Sequence, residues 1–185
     1  FNLGCTFPFD AQPQPNVYQQ QASRATLRCA SLTPPTPPRQ GNHASMEDKM
    51  RPSFESIYMN LARTLANRST CVRLNVGTVI TSTDYRKVLA VGYNGNATGL
   101  PNRCDREEPG NCGCLHSEEN AVINCDAPRH VEKIVFVTHL PCSACAKRLI
   151  NLGNVREIYY GEDYRVRDSL ELLKTVGIKV EQLEA

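Results

Sequence analysis

The sequence predicts an α/β protein of three layers (α-β-α), in which a central five-stranded mixed sheet is covered by helices on both faces. Three observations lead there. Apolar residues recur at helical spacing in some segments and in short β-branched runs in others, and the two patterns alternate along residues 46–185. Turn-forming residues separate many of these segments. The chain has 185 residues, 41% of them hydrophobic, enough for one core of ordinary size.

Residues 1–45 stand apart. They are rich in Pro, Gln, Ser, Thr and Asn, with Pro34-Pro35-Thr36-Pro37-Pro38 near their end, and they keep no sustained apolar period. They read as a disordered tail or an appended non-native segment, with Met46 as an alternative start. The globular domain is therefore placed at residues 46–185. Pro52 suits the first turn of a helix. Phe54, Ile57, Tyr58, Leu61 and Leu65 then follow at helical spacing, through about residue 67. Val76–Ser82 and Lys87–Tyr93 read as strands joined by a hairpin at 83–86. Residues 94–115 form a long loop rich in Gly, Pro, Asn and Cys, and long loops inside compact domains are usually functional. A helix is expected at 117–125, a strand at 133–138, a helix from Pro141 to about Gly153 and a strand at 155–160. A helix at 167–176 and a strand at 178–183 complete the chain.

The net charge is +2, but the tail holds Arg24, Arg28, Arg39 and Asp10. That leaves 18 of the 21 basic and 18 of the 19 acidic groups in residues 46–185. A neutral domain argues for a small substrate over a polynucleotide, because phosphate contacts dominate nucleic-acid binding. No apolar run approaches the roughly 18 residues of a membrane span, and the N-terminus does not read as a secretory signal. The nine cysteines cannot all pair within one chain. They point to metal chemistry in a reducing, cytoplasmic compartment.

The decisive pattern has two halves. One is His116-Ser117-Glu118; the other is Pro141-Cys142-Ser143-Ala144-Cys145, with Cys142 24 residues after Glu118. Each half is predicted to begin a helix. Two thiols three residues apart share a helical face, and the first turn favours thiolates. With His116 they make three ligands and leave a fourth position open, the arrangement of a catalytic zinc. Two thiolates neutralise Zn²⁺, so a bound water needs a nearby base. Glu118 is the candidate, as in the H-x-E…P-C-x-x-C pattern of zinc nucleobase deaminases. Glu119 reads as a solvated first-turn acid. His43, His130 and His139 are assigned no role, although His139 lies near Cys142.

With these residues in place, residues 54–183 resemble the deoxycytidylate (dCMP) deaminases of the cytidine deaminase-like superfamily, in their phage or bacterial form. The resemblance rests on Arg68-Ser69-Thr70-Cys71, Val76-Gly77, Gly92-Tyr93-Asn94-Gly95 with Gly99, His116–Val122, and Val137-Thr138 leading into Pro141–Cys145. The family usually has His-Ala-Glu where this chain has His116-Ser117-Glu118. The resemblance implies hydrolysis of dCMP to dUMP and ammonia, with Glu118 as proton shuttle and dUMP feeding thymidylate synthesis. It also implies nucleotide contacts from Asn94 and Tyr164, a homo-hexamer, and dCTP and dTTP as effectors with magnesium. Arg73, Arg103 and Arg165 are equal candidates for the 5′-phosphate. Cys71, Cys104, Cys112 and Cys114 match a segment where phage-type members carry a second, structural zinc. A Cys₄ set would close such a site, while the tight Cys112-Gly113-Cys114 spacing favours ordinary thiols. Cys125 is expected to be a buried helix residue. Two other readings stay open: a tRNA or DNA base deaminase, and a zinc-stapled binding module without catalysis.

Overall fold

The computed structural model describes residues 51–106 and 112–183. The readings made for residues 1–45 lie outside the described residues. The first helix, α1, spans Phe54–Ala66. Ser53 caps it by accepting the Ser56 N–H at 3.1 Å, so Pro52 precedes the cap and does not enter the first turn. Its deeply buried face is Met59, Ala62 and Ala66; Phe54 and Ile57, expected on that face, are 53% and 43% exposed. Phe54 instead stacks on Tyr58 and Tyr85, while the inner face of α1 lies close against the strand that begins at Gly77. A Cβ at Gly77 would lie 2.0 Å from the Ala62 carbonyl oxygen, so only small side chains fit the contact.

Five strands follow: β1 (Gly77–Ser82), β2 (Val88–Tyr93), β3 (Lys133–His139), β4 (Val155–Glu162) and β5 (Lys179–Gln182). They form one sheet in the order β2-β1-β3-β4-β5. β1 is antiparallel to β2 and β3, whereas β3, β4 and β5 run parallel, so the sheet is mixed as expected. Successive residues of the central strands serve opposite faces. Val79, Ile134, Phe136 and Tyr159 pack under α1. Ile80, Val135, Val137 and Ile158 face the second layer, built from α2 (Ser117–Ile123), α3 (Ser143–Leu152) and α4 (Asp168–Thr175). Lys133 is fully buried, and its Nζ donates to the carbonyls of Pro128, Val131 and Gly153 at 3.0, 2.7 and 3.2 Å. That cation ties the turn before β3 to the end of α3. α2 stops at Ile123, so Cys125 lies beyond the helix and is half-buried, not a buried helix residue. No described helix is long and apolar enough to cross a membrane.

Candidate active site

The two halves of the motif meet at two helix starts. His116 is the N-cap of α2 and Cys142 the N-cap of α3, with Cys145 in the first turn. Pro141 therefore precedes the cap and does not open the helix. His116 Nδ1 lies 3.7 Å from Cys142 Sγ and 3.4 Å from Cys145 Sγ. A tetrahedral zinc with Zn–N of about 2.0 Å and Zn–S of about 2.3 Å separates nitrogen and sulfur by about 3.5 Å. The donor set and its spacing therefore fit zinc with three protein ligands.

Contacts with β2 and α3 hold α2 in place. A Cβ at Gly92 would lie 2.2 Å from the Ser117 carbonyl oxygen and 2.5 Å from the Ala121 nitrogen, so the first turn of α2 rests directly on β2. Glu119 is not a solvated acid. Its carboxylate accepts the His116 N–H at 3.4 Å and pairs with Arg148, in the middle of α3, at 3.0 Å, bracing the start of α2 against α3.

Without a metal, the close groups perturb one another strongly. The neighbouring Cys145 thiol, then His116, pull the Cys142 thiol down to about 3. The Cys142 thiolate and burial push Cys145 up in turn. Its contact with Cys142 raises His116. Glu118 is 4% exposed, and burial raises its carboxyl above the ordinary range, as a proton-shuttling group requires.

A cavity of about 390 Å³ opens beside these residues, within the roughly 300–1,000 Å³ of small-molecule sites. His116, Glu118, Asn94 and Tyr164 all line it. Asn94 has a structural task as well: its Oδ1 accepts the Val76 N–H at 2.8 Å and its Nδ2 donates to the Leu74 carbonyl at 2.7 Å. Of the three candidate arginines, Arg73 and Arg165 line the cavity and Arg103 does not. The Arg165 guanidinium lies 5.7 Å from the centre of the Tyr164 ring.

The remaining thiols gather as well. Cys71, Cys104, Cys112 and Cys114 bring their sulfurs within 4.8 Å of one another. Cys71 and Cys112 are 3.8 Å apart, and Cys104 and Cys114 3.4 Å; a tetrahedral Cys₄ zinc needs about 3.8 Å. The tight Cys112–Cys114 spacing is accommodated because Gly113 takes φ 81°, turning the chain between the two thiols. Burial opposes ionisation of Cys71, but hydrogen bonds from the backbone of Arg73 and Leu74 outweigh it and hold the thiol below its usual range.

Sequence reading missed two groups. His139 lines the cavity, its Nδ1 3.1 Å from Thr138 Oγ1 and its Nε2 3.2 Å from Glu162 Oε2. Its nearness to Cys142 was the available signal. Thr78, on β1, reaches Ser117 at 2.8 Å, and no local pattern marks it.

The chain is similar to known proteins. The family model for the cytidine and deoxycytidylate deaminase zinc-binding region matches residues 52–162. The deoxycytidylate deaminase of Saccharomyces cerevisiae is 35% identical over 149 residues, covering 74% of this chain and 47% of the yeast protein. The chain thus spans about half the length of that relative. ComE operon protein 2 of Bacillus subtilis is 35% identical over 148 residues, covering 72% of this chain and 73% of that protein. The crystal structure of a dCMP deaminase from the cyanophage S-TIM5, in complex with dCMP and dUMP, superposes with a TM-score of 0.63 at 30% identity. It covers 72% of this chain and 99% of the phage chain. The chain belongs to the cytidine and deoxycytidylate deaminase family.

Proposed function

We propose that the protein hydrolyses deoxycytidylate to dUMP and ammonia, supplying dUMP for thymidylate synthesis. The observation that carries this reading is the convergence of His116, Cys142 and Cys145 on one point beside the buried Glu118, in a cavity sized for a nucleotide. A zinc ion held by those three residues supplies a Lewis acid that lowers the pKa of water. The chain's own groups do the rest. Glu118 takes a proton from the attacking water and delivers it to N3 of the cytosine. After water has added at C4, Glu118 takes the proton of the new C4 hydroxyl and gives it to the amine, which leaves as ammonia as the C4–N bond breaks and the C4 carbonyl forms. Asn94 and Tyr164, which line the cavity, are assigned to contacts with the nucleotide, and Arg73 and Arg165, which also line it, to the 5′-phosphate.

The Cys71, Cys104, Cys112 and Cys114 cluster is assigned a second, structural zinc that pins the loop after β2, on the strength of its tetrahedral spacing. Family resemblance alone supports a homo-hexamer and regulation by dCTP and dTTP with magnesium. The thiol ligands support a cytoplasmic location, in the host if the protein is phage-encoded, because they need a reducing compartment. The test is Glu118→Gln. It should keep its metal and its fold while turnover of dCMP falls at least about 100-fold. Wild-type turnover in that variant would overturn the assignment.

A further inference from the structure

We propose that Thr78 and Ser117 form a hydroxyl relay that positions the Glu118 carboxylate. The inference rests on the reading of Glu118 as the group that moves the proton. Ser117 is fully buried. A buried hydroxyl costs stability unless its hydrogen-bonding capacity is used. Ser117 uses it: its Oγ donates to Glu118 Oε2 at 2.9 Å and lies 2.8 Å from Thr78 Oγ1. Each hydroxyl carries one proton. Since the Ser117 proton points to the carboxylate, Thr78 is the donor in the second contact. The direction of the chain is therefore Thr78 to Ser117 to Glu118.

The anchor of this chain is rigid. Thr78, the second residue of β1, is fully buried, paired with Gly92 of β2 on one side and Val137 of β3 on the other. Gly92 also carries the first turn of α2, so strand and helix meet at van der Waals contact where Ser117 bridges them. Among the described residues, Ser117 is the hydrogen-bond partner found for Thr78 Oγ1. Alanine at position 117 would orphan the threonine and free one carboxylate oxygen to rotate. Ser117 and Thr78 are thus positioning residues. Thr78 does not line the cavity, whereas Ser117 borders it; together they limit the orientations Glu118 can adopt, which acts on rate through alignment.

The test compares zinc-loaded Ser117→Ala, Thr78→Val, Thr78→Ser and the double variant Thr78→Val/Ser117→Ala with wild type on dCMP. Each is also measured for metal per chain and thermal unfolding. S117A is expected to lower kcat about tenfold, with KM changed less than about twofold and metal content unchanged. T78V loses less, about threefold, because Ser117 still donates; T78S recovers that loss by restoring the hydroxyl. The double variant should be no slower than S117A, because the two residues act as one unit. The relay is overturned if S117A keeps kcat within about twofold of wild type with normal metal content, since a purely structural hydroxyl moves only the melting temperature. It is equally overturned if the two losses multiply. Should S117A fail to fold, the contrast between T78V and T78S decides alone. If wild type itself does not turn over dCMP, the proposed function falls and the relay with it. A dead E118Q beside a fully active S117A removes only the relay.

Discussion

Replacing Gly92 by alanine perturbs the site without touching any residue that performs chemistry. The added Cβ would lie 2.2 Å from the Ser117 carbonyl oxygen and 2.5 Å from the Ala121 nitrogen, where real contacts start near 3.0 Å. Both obstacles are backbone, so no side chain can swing aside. The start of α2 must retreat by about 0.8 Å, the gap between 2.2 and 3.0 Å. That exceeds the roughly ±0.2 Å within which metal–ligand distances are held. It also shifts Glu118 by close to the 1 Å that can cost about 100-fold in rate. Overpacking of this kind costs about 1–3 kcal/mol of stability. The assay is metal per chain, thermal unfolding and dCMP turnover, with Gly77→Ala as the comparison. A Cβ at Gly77 would sit 2.0 Å from the Ala62 carbonyl of α1, a helix on the opposite face that carries no proposed ligand. G92A should lose metal and about two orders of magnitude in turnover, while G77A loses stability and retains most activity. Full metal and wild-type turnover in G92A would refute the claim that contact with β2 sets the height of α2.

Two further expectations concern other parts of the fold. Cys104→Ser should bind one zinc fewer per chain than wild type and melt at a lower temperature, while E118Q keeps the full complement; unchanged metal in C104S would remove the second site. Glu157 accepts from Tyr159 at 2.7 Å and pairs with Lys179 at 3.2 Å, the tyrosine first and then the lysine holding its carboxyl below the ordinary range. A depressed folded-state pKa stabilises above the unfolded value and is lost as pH falls through the folded value. Thermal stability should therefore drop more steeply below about pH 5 in wild type than in Glu157→Gln, and parallel curves would show that this contact is inert.

The grouping of His116, Cys142 and Cys145 beside Glu118 was legible because each half of the motif is local, three residues in one and five in the other, each at one helix start. The sheet covered by helices was legible from alternation of periods, yet the α1 face was misjudged. Helical spacing favours Phe54 and Ile57, and nothing in that pattern says that Gly77 draws the helix so close that Ala62 makes the contact. Glu119 was misread for a similar reason, because its partner Arg148 sits on another helix. Thr78 was invisible: its role exists only once sheet register and the seating of α2 bring it beneath Ser117. The Gly92-Tyr93-Asn94-Gly95 segment was recognised before its mechanics were evident. Gly92 makes room for α2, and Asn94 latches the chain before β1.

The most direct test of the central claim is to incubate zinc-loaded protein separately with dCMP, deoxycytidine, CMP and dCTP, measuring ammonia and the deaminated product. Rapid turnover of dCMP, with the other three poor or inert, is the predicted result, since the cavity offers Arg73 and Arg165 to a single 5′-phosphate. Turnover of none of the four, with or without dCTP added as activator, would contradict the account and leave a polynucleotide substrate or a zinc-stapled binding module.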